Sequence, residues 1–147
     1  MESLAIEIGE TAHALRRAFG RRAAALGVTG AQWKVLFKLA RAPGLRQVEL
    51  AEMLDVEPIT LSRIVDRLAE AGLVERAADP ADRRAWRLHL TPKAQPLVEK
   101  LRELAEQLFA EAFAGMSPAE LDAMRNSLGK IRENLCTGPA VPKAANE

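Results

Sequence analysis

The chain has 147 residues, 48% of them apolar, 28% charged and 4% aromatic, with a formal net charge of +1. That describes one ordinary soluble domain, long enough to bury a core. Cys136 is the single cysteine, so a disulfide scaffold is excluded, and charges break every apolar run well short of the roughly 18 residues a membrane span requires. With no basic stretch leading into an apolar one at its start, the chain is expected in the cytoplasm, with no membrane partner. Ala, Leu, Glu and Arg dominate and Tyr is absent, which favours a mostly α architecture over an all-β one.

Leu4, Ile8, Thr11, Leu15 and Phe19 recur at helical spacing, with Arg16, Arg17, Arg21 and Arg22 gathered behind them; this predicts a long amphipathic helix over 4–26. Thr29 and Gln32 have the form of a capping box, and Trp33, Leu36, Phe37 and Ala40 continue a second helix until Pro43-Gly44. Val48, Leu50, Ala51 and Leu54 mark a short third helix. After Asp55-Val56-Glu57, Pro58 opens a fourth that runs to about Ala71 and stops at Gly72.

The period then changes. Val74 and Arg76 precede the turn-rich Asp79-Pro80-Ala81-Asp82, and Trp86, Leu88 and Leu90 alternate with Arg87 and His89 as in a half-buried strand. The prediction is a small β-hairpin with a long charged tip. Thr91 and Pro92 open a further helix with Leu97, Leu101, Leu104 and Leu108 on one face, reaching about Ala114 before Gly115; Pro96 should loosen its start. Ser117, Pro118 and Glu120 suggest a second capping box, and Leu121, Met124, Leu128, Ile131 and Leu135 form a seam that calls for another helix. The stretch 137–147, rich in Gly, Pro and small residues, reads as a disordered tail.

Two short helices on a tight turn, followed at once by a hairpin with basic residues, form a winged helix-turn-helix, a device for reading duplex DNA. Turning about 100° per residue from an inward Leu61, the fourth helix buries Ile64, Val65 and Leu68. Ile59, Ser62, Arg63, Asp66, Arg67 and Glu70 point outward, with Thr60 on the flank. In a major groove, Thr60 and Ser62 would reach bases or phosphate, Arg63 or Arg67 would grip guanine or backbone, and Ile59 would meet a thymine methyl. A solvated helix face with routine arginines is the competing reading. From Leu45 to Thr91 there are seven basic residues and nine acidic ones, a net −2, and every cation is Arg. Arg suits bidentate contacts and narrow electronegative minor grooves, so Arg83, Arg84 and Arg87 read as a minor-groove probe with Asp82 as a strut holding a guanidinium. A compositional preference for Arg over Lys is the alternative.

Gln47-Val48-Glu49-Leu50-Ala51-Glu52-Met53-Leu54 with Glu57-Pro58-Ile59-Thr60-Leu61-Ser62-Arg63 resembles the helix-turn-helix of the MarR transcription regulators, in particular the SlyA-like branch. Gly72-Leu73-Val74-Glu75-Arg76, Asp79-Pro80-Ala81-Asp82-Arg83-Arg84 and Leu90-Thr91-Pro92-Lys93 resemble the wing of that family. Ala94 replaces a common Gly, and Gln47 a common Thr cap. The resemblance implies a homodimer on a pseudo-palindromic operator, with recognition helices in successive major grooves and wing arginines in minor grooves. Arg84 is then the leading wing contact, positioned by Asp82. It also implies an organisation into a dimerisation helix over 1–28, a winged helix-turn-helix over 29–91 and C-terminal dimerisation helices over 92–136.

By the same resemblance, a small aromatic or phenolic ligand would sit between the dimer helices and the winged domain. The candidates here are His13, Arg17, Trp33 and Phe37, although Trp33 and Phe37 also fit a plain core role and His13 simple exposure. Cys136 is far from the N-terminal cysteine that peroxide-responsive relatives use, and two separated histidines offer no metal cluster, so neither a metal nor a cofactor is expected. The function expected is a sequence-specific regulator of transcription acting as a repressor. The alternative is a helical interaction or scaffold protein with a structural hairpin. An enzyme is the least favoured reading, since no nucleophile and base are grouped in the sequence.

Overall fold

The computed structural model describes residues 2–137. In chain order these form α1 (Glu2–Ala24), α2 (Gly30–Arg41), β1 (Leu45–Arg46), α3 (Gln47–Leu54), α4 (Pro58–Glu70), β2 (Val74–Asp79), β3 (Asp82–Leu90), a 3-10 turn (Pro92–Ala94), α5 (Gln95–Ala112) and α6 (Pro118–Thr137). Two compact units divide the chain after Ala110. Thr137, expected in the tail, closes α6 instead, and the rest of the expected tail lies outside the described residues.

In the unit up to Ala110 the boundaries of α2, α3 and α4 fall where backbone groups find partners or need none. The Thr29 hydroxyl accepts from the Gln32 N–H (3.3 Å) while the Gln32 side chain accepts from the Thr29 N–H (3.0 Å), completing the expected capping box. Between α3 and α4 the chain turns on Asp55, a non-glycine residue in the left-handed region at φ 51, whose N–H closes back on the end of α3. Aspartate tolerates that conformation better than most residues. Pro58 then opens α4 where its missing N–H costs nothing. At the other end of α4, Gly72 has φ +73, and the Leu73 N–H donates to the Leu68 carbonyl (2.9 Å), a Schellman closure that aims the chain into β2.

The sheet is antiparallel with strand order β1-β3-β2, pairing Leu45 with Leu88 and Arg76 with Leu88 on its two sides. Strand β1 was not expected, since two residues carry no readable period. The hairpin also differs from expectation. Its strands run to Asp79 and from Asp82, so only Pro80 and Ala81 form the tip, and Arg83 and Arg84 belong to β3. Pro96 does loosen the start of its helix: the chain makes a 3-10 turn first and enters α5 one residue before the proline.

Phe19 and Ala23 of α1, Leu36 and Leu39 of α2, Leu50 of α3, Leu61, Val65 and Leu68 of α4, Leu88 of β3 and Val98, Leu101 and Leu108 of α5 make the core. The inward face predicted for α4 is the buried one. The unit from Glu111 carries α6, opened by a capping box in which Glu120 accepts from the Ser117 N–H (2.8 Å) and hydroxyl (2.7 Å). No described side chain of α6 is buried, and Leu135 is 77% exposed. Gly72→Ala forces a Cβ into the left-handed region and to 3.4 Å from the Lys93 side chain; it should cost about 1–2 kcal/mol, read as a lower denaturation midpoint, and unchanged stability would deny the glycine its part in the closure.

Candidate nucleic-acid interface

The seven arginines of the helix-turn-helix and wing fall into two groups. Arg46, Arg76 and Arg87 are tied to the protein. Arg76 on β2 pairs with Asp66 (Nη2 to Oδ1, 2.7 Å), donates from Nε to the Gln47 side chain (3.2 Å) and reaches the Ser62 carbonyl. One guanidinium thus fastens the wing to α3 and α4.

Arg46 Nε donates to Asp79 Oδ2 at 2.7 Å, Arg87 Nε lies 3.3 Å from the same oxygen, and Arg87 Nη1 donates to the Gly44 carbonyl at 3.0 Å. The other oxygen of Asp79 accepts from the Ala81 N–H (2.9 Å), which shapes the hairpin tip. Asp79 is the buried acid of this unit. A register shift between Ala78 and Asp79 turns its side chain inward, where simple alternation would leave it outside.

The N–H of Ala81 lowers the pKa of Asp79 most; burial opposes this, and Arg46 and Arg87 add to the lowering. The carboxylate therefore stays ionised as the charge that both guanidinia need.

Arg63 and Arg67 on α4 and Arg83 and Arg84 on β3 are the second group. All four are exposed, and no carboxylate or carbonyl engages their guanidinia among the described residues. Ile59 (65% exposed), Pro58 and Thr60 share their solvent face at the start of α4, and Ser62 lies half-buried on the flank. Two expectations need correction. Arg87 is no free probe: Asp79 and Gly44 turn it back onto the sheet. Asp82 is no guanidinium strut: it accepts the backbone N–H of Arg84 at 2.9 Å, and the strut is Asp79.

A second concavity, of about 420 Å³, is walled by Phe19, Trp33, Phe37 and Phe109 and rimmed by Arg16, Arg41, Arg102 and Glu106. The Phe19 and Trp33 rings meet edge to face at 4.7 Å. Of the four residues proposed for a ligand, Trp33 and Phe37 lie on it. His13 and Arg17 do not: both are exposed and outside the cavity. Helical rotation explains this, since Arg16 sits roughly 60° from the buried Phe19 around α1, while His13 and Arg17 sit about 120° and 160° away.

These elements define a winged helix-turn-helix protein whose fourth helix and wing carry four exposed arginines without an internal partner among the described residues. A MarR-family model matches residues 26–85. The crystal structure of the transcriptional regulator PA3341 is similar at 34% identity with a TM-score of 0.83, over 92% of this chain and 99% of that one. A MarR transcriptional regulator from Methanosarcina mazei Go1 is similar at 25% identity with a TM-score of 0.83, over 92% and 98% of the two chains. A mutant MarR from E. coli, crystallised with operator DNA, shares 28% identity with a TM-score of 0.76, over 88% and 93%. The chain belongs to the MarR family and is a transcription regulator, not an enzyme. Among the described residues no helix is long and apolar enough to cross a membrane.

Because the folded pKa of Asp79 lies below its ordinary value of 3.8, its contribution to stability is complete above about pH 4 and lost as pH falls through the lowered value. Asp79→Asn should melt below the parent protein at pH 7, with the gap closing under acid. A gap that is constant with pH would show that the charge of Asp79 does not hold the wing.

Proposed function

We propose that this protein is a homodimeric repressor that binds a pseudo-palindromic operator in double-stranded DNA in the cytoplasm and is released by a small aromatic or phenolic acid. The observation that carries the reading is the division of the arginines. Three are engaged by internal partners, while Arg63, Arg67, Arg83 and Arg84 remain available on the two elements that a winged helix presents to adjacent grooves. Thr60, Ser62 and Ile59 at the start of α4 supply hydrogen bonds and an apolar contact for base edges, and Pro58 fixes the approach of that helix. The relative from E. coli crystallised with operator DNA supports the same use of the fold. The wing motif Asp79-Pro80-Ala81-Asp82-Arg83-Arg84 favours the SlyA-like branch.

Dimer formation is supported by the apolar side chains that the single chain leaves uncovered. Leu4 (57% exposed), Ile6 and Ile8 occupy α1, whose buried residues are confined to its C-terminal end; Ile131 and Leu135 lie on α6. Exposed leucine and isoleucine on each of these helices, taken separately, suit burial against a second copy. The ligand is supported by the aromatic cavity, where four rings offer apolar faces and Arg16, Arg41 and Arg102 offer charge to a carboxylate or phenolate.

The test is binding of a labelled duplex taken from upstream of the protein's own gene. Replacing Arg83 and Arg84 together by Ala should weaken binding at least tenfold and flatten the log–log salt slope by about 2 per subunit, one per lost phosphate contact. Sedimentation should give twice the chain mass for both proteins. Undiminished binding would remove the wing from the interface, and a monomeric mass would remove the dimer. In a second experiment, a hydroxybenzoate added to the complex should release the duplex and change the emission of Trp33, and Arg102→Ala should raise the concentration required. Absence of both effects would eliminate the ligand.

A further inference from the structure

Between the wing and the starts of α3 and α4 runs a cleft of about 350 Å³, bordered by Gln47, Val48, Pro58, Arg84 and Trp86 among others. Trp86 is the unexpected member. The alternation of β3 puts it on the face of the buried Leu88, yet its side chain lies past the edge of the core and is 49% exposed. Across the strand it faces only Ala78, a side chain too small to cover an indole. Its indole N–H meets no protein partner among the described residues. Val48, 54% exposed, and Pro58 form the opposite wall.

Duplex geometry says what fills such a space. Adjacent major and minor grooves are separated by one sugar–phosphate strand, so a protein with α4 in one and the wing in the other has to straddle that strand. The gap between α4 and the wing is this cleft. A deoxyribose is an apolar-sided ring flanked by anions; the cleft offers two flat apolar surfaces, Trp86 and Pro58, the indole N–H, and the unpaired cation Arg84 on the Trp86 side, with Arg46, Gln47 and the carboxylate of Asp82 also on its border.

We propose that Trp86 is a backbone-positioning residue: its indole packs on a deoxyribose of the strand crossing the cleft and its Nε1–H donates to the adjoining phosphate. This rests on the DNA-binding reading above and deepens it. A neutral side chain of this kind fixes the register of α4 in its groove while adding no ion pair, which separates it in kind from the four free arginines.

The full-length protein and the same labelled duplex test it. Trp86→Val, a residue suited to a strand, should bind roughly tenfold more weakly with the salt slope unchanged, because no charge is lost. Trp86→Phe, which keeps a ring but loses the donor, should fall between Val and the parent. In a Trp33→Phe background, where Trp86 is the only tryptophan, emission should shift on addition of duplex. The folding of each variant is checked by thermal melting. Parent-like affinity in Trp86→Val overturns the proposal, provided that Arg84→Ala still weakens binding. A flattened salt slope in Trp86→Val overturns it as well, by showing that the indole merely supports the wing arginines. No binding by the parent protein overturns the DNA-binding reading along with this one.

Discussion

Asp79 is the constraint on which the reading face depends. A carboxylate excluded from water is costly unless every lone pair is used, and here one oxygen shapes the hairpin tip through Ala81 while the other holds Arg46 and Arg87. That arrangement joins β1, the tip and β3 through one group. Arg76 adds a second tie, from β2 to α3 and α4. A two-stranded wing alone is a marginal structure in water; these ties hold it at a set angle to the recognition helix, and only then can Arg83 and Arg84 be carried to a fixed distance from Arg63 and Arg67.

The same ties separate the arginines of a module with more acids than bases into three held inside and four left exposed. Net charge is a sum over groups that do not all face the same way. Asp66 and Asp79 are matched internally by arginines, and Glu49 accepts the N–H of Arg46 at 2.9 Å. What remains exposed on α4 and β3 is four guanidinia beside the carboxylates of Glu70 and Asp82, so the placement of the cations, not the net charge, decides what the module can meet. Arginine serves both uses for one reason: its planar fork binds a carboxylate inside the fold and a phosphate or guanine edge outside it equally well.

That shared chemistry also limits what the sequence could convey. The helices were legible because each combines a 3.6-residue apolar period with a cap or breaker: Thr29 with Gln32, Pro58, Gly72, and Ser117 with Glu120. The inward face of α4 followed directly, and Ile59, Arg63 and Arg67 fell on the outer side as expected. The division of the wing arginines was not legible. Arg84 and Arg87 are the same residue, three positions apart, and their different fates follow from Asp79, whose inward turn depends on a register shift that the sequence does not signal. β1 escaped notice for a similar reason, since its two residues gain meaning only from their partners on β3. At the aromatic cavity the rings Trp33 and Phe37 were identifiable, whereas choosing Arg16 over Arg17 required the phase of α1, which only the packing of Phe19 establishes.

The cavity and the reading face share one helix. Trp33, Phe37 and Ala40 of α2 line the cavity, while Val35, Leu36 and Leu39 of the same helix are buried in the core with Leu61, Val65 and Leu68 of α4. Close-packed interiors do not absorb displacement locally, so a ligand that wedges the aromatic wall apart has to move α2 as a body or leave it in place. If α2 moves, α4 must either follow it or lose contact with Leu36 and Leu39, and the Arg76 tie obliges the wing to move with α4. Under the proposed ligand release, the consequence would be a rigid head whose internal geometry survives the ligand and whose placement does not. Release of DNA would then come from altered spacing between two intact heads, not from distortion of either one.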